Sequence, residues 1–367
     1  MPRRFQQWPV KAGRWSPVMA SNHFRKPVIN MGGLFLLLVL LTQFTGCKKE
    51  ENSGSAKNIS IAVFIPGVMS GGAIYEMLAQ GVRQAADEKT GVDVRVIEAG
   101  FNQAEWEGKL TSLAAAGTYD LIVSSNPSLP ALAQSVSAKF PKQHFLLLDG
   151  EISGNPMIYT LRYNQYEQAY MAGYLAALIA REGKTKIGPA EKIGLVAGQE
   201  YPAMNDIILP SYLEGARAVS PAFETDFRVV GNWYDAGKGA ELASDIIRRG
   251  APVILCVAGG ANEGVVKAAE EAGAKVIWFD INGYAVRPGV VVGSCILRQD
   301  KAAYEKTKLF LEGKLPFGSA EMVGVKEGFV DFVDDDPLYI SSVSESVRAE
   351  QAVLLEALRS GRVIIKN

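Results

Sequence analysis

ISIAVFIPGVMSGGAIYEMLAQGVRQAADEK, residues 59–89, decides the fold class of this chain. Residues 59–65 form an apolar run rich in β-branched side chains, which is typical of a buried strand. Pro66 and Gly67 end the run, and residues 74–89 then repeat their apolar positions with helical spacing. The stretch therefore predicts one strand followed by one crossover helix, the repeating unit of α/β proteins.

The same unit recurs along the first half of the chain. The predicted strands are residues 59–65, 92–98, 121–123, 145–148 and 158–162, and the predicted helices are residues 74–89, 106–116 and 129–140. Because strand, crossover helix and parallel strand alternate, we expect an open parallel sheet with helices on both faces.

A second series follows an unusually apolar predicted helix at residues 166–179 and a loop of mixed charge. Its strands are residues 192–197, 225–230, 253–257, 275–279 and 290–295, and its helices are residues 209–219, 237–249, 262–272 and 301–312. Two successive doubly wound series predict two lobes that face each other across a hinge. We expect one lobe to hold residues 58–162 plus about 285–320, and the other to hold residues 163–284 plus about 321–367.

The loops after these strands carry the candidate binding residues. Ligands of open parallel sheets bind outside the carboxyl ends of the strands, so these loops are expected to line the cleft between the lobes. The loops combine aromatic rings with carboxylate and amide groups, a mixture that suits a planar ring and hydroxyl groups. The predicted ligand-binding residues are Tyr75, Asn126, Asp149, Tyr201, Trp233 and Asp280.

Composition excludes several other classes of function. Six of the 38 basic residues and none of the 39 acidic residues lie in positions 1–46, so the remaining body has 32 basic side chains and a net charge of −7. That balance argues against nucleic acid as a partner, because phosphate binding needs a basic face. His144 is the only histidine of the body, which leaves little for histidine-based metal sites or catalysis. We expect no metal and no cofactor.

The three cysteines are of two kinds. Cys256 and Cys295 sit inside apolar runs, which predicts two reduced thiols packed as small hydrophobes in the core. Cys47 instead follows an unbroken apolar run at residues 34–41 that Arg25 and Lys26 precede, the form of a signal-peptide hydrophobic region.

The segment FTGC, residues 44–47, resembles the lipobox of bacterial lipoproteins, with Phe where Leu is commoner. The resemblance implies that residues 1–46 are a signal peptide and that Cys47 carries a lipid, although an ordinary secretory signal remains the alternative. Residues 47–57, charged and then rich in small residues, predict a flexible tether. A leader beginning at Met19 already looks complete, so we expect a mis-assigned start codon.

The body resembles the basic membrane protein family, the purine-nucleoside-receptor-type lipoproteins that serve ABC importers. The matching segments are FP (140–141), LDG (148–150), AYMAGYLA (169–176), YLEGA (212–216), WYDAGKG (233–239), AGGANEGV (258–265) and FD (279–280). The resemblance implies a type I periplasmic-binding fold of two doubly wound lobes. It also implies a monomeric, non-enzymatic binding protein at the periplasmic face of a bacterial membrane, with an ABC permease as partner.

Departures from the family pattern bear on the ligand. Ile74 and Tyr75 stand where nucleoside-binding members usually have Phe and Asn, and Leu297 stands where a Lys is usual. Asp280 matches the residue that grips ribose hydroxyls, and Trp233 stands where the family often has a Phe that stacks on the base. In these respects the chain is similar to the riboflavin-binding lipoproteins, which implies riboflavin as a transported ligand, stacked between Tyr75 and Trp233 with Asp280 on its ribityl hydroxyls.

Each predicted site residue also has a structural alternative. Asp280 could be a helix cap or turn former, Asp149 an N-cap or hinge residue, Trp233 a surface anchor, and Tyr75 a core residue in register with Leu78. For the whole chain the alternatives are a purine nucleoside as ligand, a sensory lipoprotein, or a nucleoside hydrolase. A hydrolase would need clustered carboxylates, and the dense run at residues 334–336 instead predicts a turn near the hinge.

Overall fold

The computed structural model describes residues 58–70, 72–363 and 365. Its body consists of two lobes, each built on a six-stranded sheet with helices on both faces. The predicted signal peptide, the lipid attachment residue Cys47 and the predicted tether, residues 1–57, lie outside the described residues.

The first sheet is parallel throughout and has the strand order β11-β5-β4-β3-β1-β2. Its strands are β1 (Ile59–Ile65), β2 (Val92–Glu98), β3 (Leu121–Ser125), β4 (His144–Leu148), β5 (Ile158–Tyr163) and β11 (Ala320–Val323). Every residue of the central strand β3 is buried, whereas half-buried and exposed positions alternate along most of the edge strand β2. Full burial of β3 follows from the helices that cover both faces of the sheet.

The second sheet repeats the first with the order β12-β10-β9-β8-β6-β7. Its strands are β6 (Lys192–Ala197), β7 (Glu224–Val229), β8 (Val253–Val257), β9 (Lys275–Asp280), β10 (Val291–Leu297) and β12 (Val330–Phe332). Only β12 runs antiparallel to its neighbour. Position by position, β6 to β10 of this sheet correspond to β1 to β5 of the first.

Ten α-helices are found in the described part of the chain: α1 (Ala73–Asp87), α2 (Trp106–Ala116), α3 (Leu129–Lys139), α4 (Gln165–Glu182), α5 (Leu209–Val219), α6 (Ala236–Arg248), α7 (Asn262–Ala272), α8 (Gln299–Leu311), α9 (Pro337–Ser342) and α10 (Glu345–Arg359). The predicted apolar helix is α4, the most deeply buried of them. In the described ranges no helix combines the length and the apolar character that a membrane span requires.

Two helices pass from the lobe of the preceding strand to the other lobe. α4 follows β5 of the first sheet but packs against α5, where an added Cβ on Gly173 would stand 1.9 Å from the Tyr212 carbonyl oxygen. α8 follows β10 of the second sheet but packs against α1, where an added Cβ on Gly81 would stand 2.2 Å from the Asp300 carbonyl oxygen. The two contacts are counterparts, and each needs a residue without a side chain because the helix backbones approach so closely.

The strands are divided between the lobes differently from our prediction. We expected residues 285–320 in the first lobe and 321–367 in the second, but β10 pairs with β9 in the second sheet and β11 pairs with β5 in the first. The prediction was wrong because buried strands of two similar sheets carry the same apolar pattern, which does not specify the partner strand. The chain therefore crosses between the lobes after β5, after β10 and after β11, and these three segments form the hinge.

Candidate ligand-binding site

Asp149 and Asp280 mark the corresponding point in the two lobes. Asp149 follows β4 and Asp280 ends β9, and these are equivalent strands of the two sheets. Both residues have positive backbone φ angles, 57° and 74°, and no other described residue except glycine does. Non-glycine residues in this conformation cost on the order of 1–3 kcal/mol each and persist mostly where function requires them. The pair is therefore the centre of the candidate site.

The two carboxyl groups face each other across the cleft closely enough to interact. Burial, and to a smaller extent the negative charge of Asp280, raises the pKa of Asp149 to about 8. Burial also raises the pKa of Asp280 to about 6, while a hydrogen bond from Gln168 opposes that rise. Near neutral pH the pair therefore holds about one proton, on Asp149.

Tyr75 and Asn126 extend the site within the first lobe. Tyr75 is half-buried on α1, its hydroxyl donates to the Pro66 carbonyl oxygen at 3.3 Å, and burial raises its pKa to about 12. Asn126 interacts with the Tyr75 hydroxyl and also accepts a hydrogen bond from the Ser128 backbone N–H at 2.9 Å. Tyr75 thus packs on the core, and its hydroxyl lies close enough to Asp149 for the charge of that carboxyl to contribute to its raised pKa.

Trp233 and Tyr201 form the aromatic part of the second lobe. Their ring centroids are 6.1 Å apart with a 50° tilt. An added Cβ on Gly198, the residue after β6, would stand 2.4 Å from Trp233 Cε3, so the indole lies directly on that glycine. Burial raises the pKa of Tyr201, and the charges of Asp280 and Asp149 add to that rise. All six predicted residues thus belong to one cluster, although their roles in binding stay predictions.

The loop that carries Trp233 is held by its own backbone contacts. The Asn232 side chain accepts hydrogen bonds from the backbone N–H groups of Tyr234 and Asp235, at 3.0 and 2.8 Å. The Gly260 N–H donates to the Trp233 carbonyl oxygen at 2.8 Å. The glycine-rich segment after β8 is therefore a strand-to-helix turn that supports the tryptophan.

Phe101 is a candidate site residue that our sequence analysis missed. Its side chain is 76% exposed, and it lies with Tyr75 against Gly67, the glycine after β1. Gly67 and Gly198 are counterparts, since Gly100 donates to the Gly67 carbonyl at 2.8 Å and Gly231 donates to the Gly198 carbonyl at 2.9 Å. Aligning the two halves on those glycines would have placed Phe101 beside the position of Trp233.

Gln168 was missed as well. This fully buried residue of α4 donates from Nε2 to Asp280 Oδ1 at 3.1 Å and to the Cys295 carbonyl oxygen at 3.0 Å. The signal was available, because an amide directly before the apolar segment at residues 169–176 is unexpected on the buried face of a helix.

The acidic run at residues 334–336 has structural partners. Arg359 binds Asp334 at 2.9 Å and Asp331 at 2.9 Å, and the Asp336 side chain caps α9 by accepting from the Leu338 N–H at 2.8 Å. Asn282, in the loop after β9, donates to Asp336 at 2.9 Å. The run therefore joins the C-terminal helices to the second lobe. Cys256 and Cys295 are free and buried, as expected.

Comparison with known proteins identifies the class. The sequence profile of the family described as Bmp, ABC transporter substrate-binding protein PnrA-like, matches residues 58–361. The chain belongs to this family. It is accordingly a substrate-binding protein of an ABC transporter with a small-molecule ligand and a permease partner, and not an enzyme, which excludes the hydrolase alternative.

Individual relatives and solved structures agree with this assignment. Basic membrane protein D of Borreliella burgdorferi is 23% identical over 330 residues, 88% of this chain and 92% of that protein. The ABC transporter nucleoside-binding protein BmpA of Lactococcus lactis is 25% identical over 258 residues, 63% of this chain and 65% of that protein. A solute-binding protein of Aeropyrum pernix K1 superposes with a TM-score of 0.74 at 24% identity, over 84% of this chain and 93% of that one. The predicted two-lobed type I periplasmic-binding fold is confirmed.

Proposed function

We propose that this substrate-binding protein binds riboflavin in the cleft between its lobes. The observation that carries the proposal is the matched placement of aromatic side chains. Each lobe sets aromatic rings on the glycine after its first strand, with Tyr75 and Phe101 on Gly67 and Trp233 on Gly198. A three-ring isoalloxazine has two broad faces, and each face can stack on the aromatic side chains of one lobe.

Stacking supplies the larger apolar contribution. By analogy with stacked bases, each aromatic contact contributes about 1–3 kcal/mol. The exposed rings of Phe101 and Trp233, which are 76% and 38% exposed, leave surface for a ligand to cover. The ligand would thus bring the aromatic faces of the two lobes together on closure.

The aspartate pair suits the ribityl chain. A hydroxyl group both donates and accepts, and the pair offers an ionised acceptor at Asp280 together with a protonated donor at Asp149 near pH 7. Hydrogen bonds to a charged group are worth about 1.5–3 kcal/mol each. A chain of neighbouring hydroxyls can satisfy both carboxyls at once.

A purine nucleoside is the second candidate ligand. The observation in its favour is the similarity to the Lactococcus protein named as nucleoside-binding. Asp280 could accept from ribose hydroxyls as readily as from ribityl hydroxyls. Against a purine stand Ile74 and Tyr75, which occupy the positions where nucleoside-binding members carry Phe and Asn.

The anchoring of the protein belongs to the same proposal. A lipid on Cys47 would hold the body at the periplasmic face of the membrane, and residues 48–57 would serve as its tether. At about 0.8 kcal/mol per buried methylene, two or three acyl chains give durable attachment. A relative from Pyrococcus abyssi, 24% identical over 314 residues, is named as a lipoprotein. Mass spectrometry of the purified protein would test this, since a Cys47→Ser variant should lack the acyl mass.

The ligand can be tested by denaturing the purified protein and recording the absorption spectrum of what it releases. We expect a yellow, fluorescent supernatant with flavin bands in the visible region. A spectrum confined to the purine ultraviolet band would overturn riboflavin in favour of a nucleoside. An empty preparation would be titrated calorimetrically with riboflavin, inosine and ribose, and heat with inosine alone would likewise overturn riboflavin as the ligand.

A further inference from the structure

Gln168 occupies an unusual place for an amide. It lies four residues into α4, the helix that crosses from β5 to the second lobe, and its side chain is fully buried. The next two residues along this face of the helix, Ala172 and Leu175, are buried and apolar. Hydrophobic packing therefore does not explain an amide side chain at this position.

The orientation of the Gln168 amide is fixed by its partners. The Cys295 carbonyl oxygen can only accept, so the group that contacts it must be Nε2, which also donates to Asp280 Oδ1. Gln168 Oε1 is buried and has no hydrogen-bond partner in the described part of the chain. An unsatisfied buried oxygen is unfavourable, so the helix keeps its donor at the expense of stability.

Among the described residues, Gln168 is the one side chain that donates a hydrogen bond to Asp280. The titratable groups that face the two carboxyls are the hydroxyls of Tyr75, Tyr163 and Tyr201, the thiol of Cys295, and the carboxyls themselves. Within residues 58–70 and 72–363 no salt bridge reaches Asp149 or Asp280, and the nearby Arg298 pairs with Asp300 at 3.4 Å. The amide of Gln168 is thus the polar group that distinguishes Asp280 from Asp149.

We propose that Gln168 is a positioning residue of the ligand site, which holds the Asp280 carboxylate in an ionised, fixed orientation and leaves the shared proton on Asp149. The ligand then meets an acceptor on the second lobe and a donor on the first. The choice of ligand rests on the proposed function, but the effect of Gln168 on Asp280 does not, and the two are tested separately.

The first test needs no ligand. The full chain is labelled with carbon-13 at aspartate carboxyls, Asp280 is assigned with the Asp280→Asn variant, and its titration is followed by NMR. In Gln168→Met, a change that keeps the volume and removes the donor, the Asp280 midpoint should rise. The matched control is Gln351→Met, because Gln351 is also fully buried, donates to the Met171 carbonyl on the same helix at 3.3 Å, and has an unpaired Oε1. An unmoved Asp280 midpoint in Gln168→Met would overturn the proposal.

The second test separates positioning from a merely structural role. Gln168→Met and Gln351→Met each remove one unsatisfied oxygen and one hydrogen bond to a backbone carbonyl, so their melting temperatures should change by similar amounts. Its affinity for riboflavin should be about tenfold weaker at pH 7, and the loss should shrink as pH rises and Asp280 ionises in both proteins. A lower melting temperature with an unchanged pH profile of binding would contradict the proposal. If the parent binds inosine and not riboflavin, the proposed ligand fails, and the same comparison with inosine still decides the role of Gln168.

Discussion

Asp149 and Asp280 end equivalent strands with the same left-handed turn, yet the two lobes give them different chemistry. Asp280 receives a hydrogen bond from Gln168, five residues beyond the end of β5. The residue five beyond the end of β10 is the buried Ala302, which has no donor to offer Asp149. Burial raises the pKa of both carboxyls, but the hydrogen bond from Gln168 holds that of Asp280 at about 6, while the charge of Asp280 helps to raise that of Asp149 to about 8.

The aromatic side chains also occupy equivalent places in the two lobes but differ in kind. Both lobes build the same glycine-supported turn, closed by Gly100 on Gly67 and by Gly231 on Gly198. The first lobe covers its glycine with a tyrosine from α1 and a phenylalanine, and the second with a tryptophan from its loop. The repeated fold therefore fixes where ligand contacts stand, and single side chains decide what each contact recognises.

The largest expected effect comes from neutralising the two aspartates in turn. Asp280→Asn should weaken riboflavin binding about thirtyfold to a hundredfold at pH 7 if two ribityl hydroxyls bind the carboxylate, because each hydrogen bond falls from about 1.5–3 kcal/mol with a charged acceptor to about 0.5–1.5 kcal/mol with a neutral one. The affinity of Asp149→Asn for riboflavin should stay within about threefold of the parent's. The Asn amide donates a hydrogen bond, as the protonated carboxyl of Asp149 does. Fluorescence titration would measure both. Equal losses of affinity in the two variants would contradict the different roles assigned to the two aspartates.

Trp233 should matter next. Trp233→Ala should weaken binding about tenfold to a hundredfold, since a stacking contact is worth about 1–3 kcal/mol. The neighbouring Tyr234 is 80% exposed and serves as the control, so Tyr234→Ala should bind within about twofold of the parent. Calorimetric titration of both variants with riboflavin would check this. Full affinity in Trp233→Ala would mean that the indole is only a surface anchor.

A smaller effect should follow from disturbing the support of the indole. In Gly198→Ala the new methyl would stand 2.4 Å from Trp233 Cε3, so the ring must shift. Overpacking of this kind costs about 1 kcal/mol or more, which corresponds to about fivefold in affinity. Gly108→Ala, in open space on α2, is the matched control and should change nothing. Tryptophan emission together with a riboflavin titration would report the shift, and unchanged emission would refute it.

The last expected effect is on stability and needs no ligand. The pKa of Asp149 is raised to about 8 in the folded protein, above about 3.9 in unfolded chains, so the folded state binds more protons between these values. Its contribution to stability is complete below pH 4 and is lost as pH rises through 8. Asp149→Asn should therefore melt higher than the parent at pH 9, and the difference should shrink toward pH 5. Ligand-free thermal scans would measure it, and a difference that grows toward acid pH would contradict the assignment.

The sequence predicted the fold class and the position of the aspartates because both depend on local patterns. Alternating strands and helices specify parallel sheets, and the carboxyl-end rule picks out the loops after β4 and β9. The lobe that receives β10 or β11 was not predictable, because that choice depends on contacts such as Gly81 against α8.

Phe101 and Gln168 were missed for different physical reasons. Phe101 follows an edge strand and is identified only when the two halves are aligned on Gly67 and Gly198. Gln168 lies inside a helix far along the chain from Asp280, and only the crossing of α4 brings the two within 3.1 Å. Residues that act through such long-range contacts leave little trace in local sequence.

The riboflavin assignment is tested most directly by titrating the ligand-free protein into riboflavin and following the flavin fluorescence. If the flavin stacks between the aromatic side chains of the two lobes, its fluorescence should be quenched and should saturate at one flavin per protein. Excess inosine should not restore the fluorescence. Unquenched flavin fluorescence, with inosine heat in a parallel calorimetric titration, would contradict the account and give the site to a purine nucleoside.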